Sequence, residues 1–321
     1  SGANTYSGGT TVNGGTLTVN GSLATGTSVT VASGATYALG ANGTITSLSG
    51  AGSTSLGGNT LTLSNAAGTY SGVMSGTGGL TITAGTETLS GTNTYTGVTA
   101  INGGTLIQTG ALSNAANIVM NGSGTWDLQV NQTIASLVMT GGNNIVNTAG
   151  VVSGLTVNGS AYINNITTYG SQIYNGGVTL QGGNVIGGSA PGTGPYMRGG
   201  TLSPVLLASN GGDITFNGTI DAGGQSALYK RSLTIVADVG TITFNQSIGT
   251  RGTLAGIADG NIYELIVKAK NIHINADIVT NEIQSYMGQV WIGDNGTNGQ
   301  ARTLLSEDPS VVFGDYVSSS G

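Results

Sequence analysis

The chain has 321 residues, enough for one large core or two domains, with 59 glycines against 7 Lys plus Arg and 13 Asp plus Glu. Charged residues are only 6%, so the i,i+4 ion pairs that support exposed helices are missing, and Gly and Thr disfavour helix directly; the expectation is an all-β chain. A net charge of −6 without a basic stripe excludes nucleic acid as a partner, and zero cysteines exclude disulfides and thiolate metal sites.

No apolar run approaches the length of a membrane span, so direct membrane insertion of this segment is not expected. Residue 1 falls inside a repeating pattern without an export signal, so the chain reads as a fragment, and the missing signal says nothing about destination. The opening text, Asn4 to Gly21, is uncharged, with apolar residues at Val12, Leu17 and Val19. Apolar residues then alternate with period two at Val29 and Val31, Leu61 and Leu63, and Leu80 and Ile82, each run closed by Gly, Asn or Ser. Such spacing puts one face of a short strand inward.

Ser1–Leu23 and Ser90–Leu112 agree at 14 of 23 positions at an offset of 89, an internal repeat. Farther on, the text around Asp213, Thr241 and Asn271 shares the pattern x-I-x-[FI]-N-x-x-I at spacings of 28 and 30. A sandwich has no reason to repeat one strand and its Asn at nearly constant spacing. A solenoid does, because each turn stacks on the last about 4.8 Å away, where Asn amides and Thr hydroxyls pair with their own kind. The expected fold is therefore a right-handed parallel β-helix, an elongated rod of roughly 20–30 residues per turn. Between the two pattern types, Gly187–Pro204 holds three of the four prolines and reads equally well as a junction or as a long loop. The segments on either side are taken as 1–190 and 191–321, with one continuous coil as the alternative.

Tyr70–Leu106 resembles the passenger-associated transport repeat of Gram-negative autotransporters, and Asn4–Leu17 looks like the tail of an earlier copy, with Val98 where the repeat usually has Gly. Gly211–Gly224 is similar, more loosely, to the coils of filamentous-haemagglutinin-type adhesins. Both resemblances imply a type V secreted passenger at the bacterial cell surface, exported through an outer-membrane translocator, with no catalytic residues to carry over.

The chemistry-bearing residues support a bland reading. Polysaccharide-cleaving β-helices need carboxylates converging on one face, whereas these acids are scattered; Asp213 and Asp238 read as solvated corner residues, with Lys230 and Arg231 not far along the chain. His273 stands at the position of Thr215 and Thr243 in the repeat and reads as an outward ladder residue. Asp294 and Asn298 suggest a calcium loop, but Gly296 sits where a ligand is needed, so a turn is expected. No catalytic residue, metal or cofactor is assigned. Trp126 and Trp291 read as structural plugs, and the Thr pairs at 16/18, 60/62 and 81/83 are too irregular for a flat Thr array. Tyr162, Tyr169 and Tyr174 are the candidate ligand-binding residues, against the alternative that they pack in the coil.

The resulting expectation is a stiff stalk of a surface adhesin, meeting a host-cell or bacterial glycan or protein, or biofilm polysaccharide. A β-helical polysaccharide-degrading enzyme and a stalk without a ligand of its own are the alternatives.

Overall fold

The computed structural model describes residues 2–6, 8–24, 26–181, 204–222, 231–249, 262–293, 302–306, 311–314 and 317–319. The Pro-rich stretch before Pro204, the tentative calcium loop with Asp294 and Asn298, and Lys230 lie outside the described residues. Two compact units are present: Ser1–Gly159 with Thr168–Gly170, and Ser160–Thr167 with Ser171–Gly321.

The first unit is a coil of short parallel strands in three sheets. One sheet stacks Thr10–Val12, Val29–Val31, Leu48–Gly50, Thr69–Tyr70, Thr86–Leu89, Thr105–Gln108, Thr125–Leu128 and Asn144–Val146, each on the next. The second stacks Thr16–Val19, Thr36–Leu39, Ser53–Gly57 and Met74–Gly76. The third runs from Gly43–Ile45 through Leu61–Leu63, Leu80–Ile82, Thr99–Ile101 and Asn117–Gly122 to Ser136–Gly141. The chain visits the sheets in turn and returns to the first after 19 residues, as from Thr10 to Val29. Parallel neighbours one turn apart define a β-helix rather than two antiparallel layers.

The interior follows from period two. Ile45, Leu63, Ile82, Ile101, Met120 and Met139 stand in register down the third sheet, each no more than 1% exposed. The outward column beside them begins Thr44, Thr62, Thr81 and continues as Ala100, Val119, Val138. The Thr pairs therefore share one position only, Thr62 opposite Thr81, in a Thr column three turns long, and Thr16 and Thr18 belong to another sheet.

The offset of 89 residues is not a whole number of turns of 19 or 20. Thr10–Val12 lies in the first sheet and its copy Thr99–Ile101 in the third. The same text serves both faces because each needs only an apolar residue at alternate positions: Val12 and Ile101 are both buried. Corners use glycine where backbones crowd. Gly104 has φ +68, and a Cβ there would come 2.3 Å from the carbonyl oxygen of Gly85, itself at φ +77 one turn away. Val98, in the place of a glycine, is 43% exposed and has room.

In the second unit, the three pattern copies stack in the register the sequence implies: Thr215 opposite Thr243, and Thr243 opposite His273. Inward from them, Tyr174, Phe216 and Phe244 form a column of stacked rings with centroids 5.2 and 5.5 Å apart. At the corner that follows, Asn245 Nδ2 donates to Asn217 Oδ1 and Asn275 Nδ2 to Asn245 Oδ1, both at 2.8 Å. Asn217 extends the ladder to Asn175 at the same distance.

Candidate functional site

The second unit presents an outward sheet face whose charges, Asp213 and the Lys268–Asp238 pair among them, stand off its central column. Its central column is Ile173, Thr215, Thr243, His273 and Trp291, in register on five stacked strands. Trp291 meets His273 edge-on with centroids 6.3 Å apart, and both are partly exposed. The flanking column carries Thr241, Asn271 and Gln289, and the asparagine ladder borders the other side. The result is an aromatic platform among amides and hydroxyls at strand spacing. Such a surface suits stacking on, and hydrogen bonding to, an uncharged polar chain. His273 thus sits outward as its sequence position implies. Trp126 is a plug, fully buried in the first unit, with Nε1 donating to Gln108 Oε1 at 2.9 Å. Trp291 is not a plug, because its register with His273 turns it outward.

The candidate tyrosines part company. Tyr174 has no exposed surface; its ring lies on Phe216 and its hydroxyl donates to Gln172 Oε1 at 2.9 Å. It is a core residue, held inward by the alternation of the Gln172–Tyr174 strand, and so it leaves the set of ligand candidates. Tyr162, 40% exposed in the second unit, faces out in register with Thr179. Tyr169, in the first unit, is half-buried beside Gly150, whose Cβ would stand 3.8 Å from its ring.

The acids are engaged separately. Asp213 Oδ1 accepts the Thr241 amide at 2.7 Å, and Asp238 pairs with Lys268 at 2.8 Å on the surface. Arg231 Nη1 donates to the Ala222 carbonyl. Among the described residues no group of three His, Asp or Glu stands where it could hold a metal ion.

One residue escaped the sequence reasoning. Glu87, in the first unit, is fully buried and neither carboxyl oxygen has a hydrogen-bond partner. Burial pushes its pKa up from 4.5 to about 8; the Gly68 backbone pulls the other way without reaching hydrogen-bond geometry. The signal was there: in "TETL", Glu87 shares the inward parity of Leu89.

Comparison with known families picks out the first unit. Residues 1–19 and 84–107 match the family model of the passenger-associated-transport-repeat. The chain carries this repeat twice. The match supports an autotransporter passenger, secreted by a type V system. The repeat's second match includes Glu87 and the Gly85/Gly104 corner, and its first includes Thr10–Val12 in the other sheet. No match was found among curated proteins or among solved structures.

Proposed function

We propose that this passenger is adhesive: a β-helical support in a bacterial surface adhesin, with coils of filamentous-haemagglutinin type in its second unit. Its partner is a neutral polysaccharide of a cell surface or biofilm matrix. The observation that carries the reading is the Thr243–His273–Trp291 column, an aromatic-and-hydroxyl strip between amide columns. Without charge in that strip, recognition rests on ring stacking and on hydrogen bonds from amides and hydroxyls.

The test is retention of the purified chain on a panel of immobilised neutral polysaccharides, with Trp291→Ala and Tyr162→Ala beside the wild type. Trp291→Ala is expected to weaken retention at least about tenfold, the ~1.4 kcal/mol of one stacked contact. Equal retention of the wild type and Trp291→Ala overturns the strip as the site. A blank panel overturns the glycan reading in favour of a support without a ligand, and shortening of the polysaccharide chains reveals an enzyme instead.

A further inference from the structure

We propose that Glu87 is a proton-linked latch: the turns of the first unit close around its carboxyl only when it carries a proton, and alkaline conditions loosen them. The proposal rests on placement. Glu87 is in register with Leu106, and Leu106 with Trp126, so the carboxyl lies in the apolar column inside the coil. On the side of the preceding turn lies Gly68, where a Cβ would come 3.1 Å from Glu87 Oε2. A glycine at this point makes room for the acid without offering it a polar side chain.

A buried carboxylate with no cation and no donor in hydrogen-bond geometry is strongly disfavoured; a buried carboxylic acid costs far less. No cation is near in the chain. The first Lys or Arg is Arg198, and Glu87 is the only charged residue before Asp127. The contrast with Asp127 is instructive. That acid is also buried, yet its oxygens accept from the Thr148 amide and hydroxyl and from Gln129 Nε2.

Nothing else around Glu87 titrates in the same range. Of the strands paired with Thr86–Leu89, Thr69–Tyr70 brings Tyr70 and Thr105–Gln108 brings no titratable residue. From Ala38 to Trp126 the only other titratable side chain is Tyr95. Burial pushes both phenols up to about 12, and both are hydrogen-bonded, Tyr70 to Gly52 O at 2.6 Å and Tyr95 to Thr99 Oγ1 at 2.6 Å. They stay neutral while the carboxyl titrates.

The sign follows from linkage. The folded acid keeps its proton up to about pH 8, whereas the unfolded one loses it near 4.5. Folding between those values therefore takes up a proton. The stabilisation is full below the lower value and is lost as pH rises through the upper one. The folding constant is expected to drop on the order of 10²-fold from pH 5 to pH 8.

The experiment is urea unfolding of the whole chain at pH 5, 6, 7 and 8, read by Trp126 fluorescence in a Trp291→Phe background. A fall in stability with pH that largely disappears in Glu87→Gln is the expected result. His273 is common to both proteins and cancels in the comparison. Should Glu87→Gln fail to fold, Glu87→Met serves as the second variant. Infrared spectra of the wild type at pH 7 provide an independent reading, since a protonated carboxyl band must be present when other acids are ionised. Equal stability at pH 5 and 8, a slope that survives the substitutions, or absence of that band overturns the proposal.

Discussion

A single side chain in this protein is defined by the parity of its position and by whether its polar atoms find partners. Tyr162 and Tyr174 have the same chemistry, yet one is 40% exposed and the other has no exposure. Tyr174→Ala opens a cavity against Phe216 and is expected to destabilise the second unit by ~3–5 kcal/mol, while Tyr162→Ala stays within about 0.5 kcal/mol. Denaturant midpoints of the two variants check this directly. Buried polar groups divide in the same way. Gln108 accepts from Trp126 and donates to Gln132 Oε1 at 2.6 Å, and Gln132 Oε1 also accepts the Leu112 amide at 2.9 Å. That network is satisfied, so Gln108→Leu, which strips the indole of its acceptor, is expected to cost ~1–3 kcal/mol despite the apolar gain. A thermal unfolding series would measure it.

At the scale of strands and corners, stacking multiplies small contacts. Asn245 both donates to Asn217 and accepts from Asn275, whereas the Asn275 side chain donates to Asn245. Asn245→Ala removes two ladder hydrogen bonds and Asn275→Ala one, so the expected losses are ~1–3 and ~0.5–1.5 kcal/mol respectively. Equal losses would show that the ladder bonds contribute little. Glycine corners behave differently, because crowding rather than bonding decides them. Gly104→Ala forces a side chain at φ +68 into the Gly85 carbonyl, a site with no flexible neighbour to yield. Its expected cost exceeds the 1 kcal/mol or so of an ordinary Gly conformational change, and hydrogen exchange should rise first in the adjoining strands.

Across the whole chain, charge is concentrated late: residues 1–197 contain only Glu87 and Asp127, and all seven Lys and Arg lie between 198 and 302. Stability of the first unit is therefore expected to be insensitive to ionic strength, changing by less than about 0.5 kcal/mol between about 20 and 200 mM salt. In the second unit the exposed Lys268–Asp238 pair adds no more than about 1 kcal/mol of salt-sensitive stability. Parallel ladders and apolar columns hold each unit.

Much of this was legible in the text. Period two fixed which residues of a strand point the same way, and the spacings of 28 and 30 placed Thr215, Thr243 and His273 in one column before any coordinates. The next step, from Ile272 to Val290, is only 18 residues, and that change of length hid Trp291 from the pattern. Local sequence carries alternation, turn residues and composition because those depend on neighbours along the chain. The identity of the strand above and below is decided by the coil, whose turns vary in length at loops. Only that stacking sets Tyr174 on Phe216, turns Trp291 beside His273, and encloses Glu87 between Gly68 and Leu106, since each contact joins residues a full turn apart.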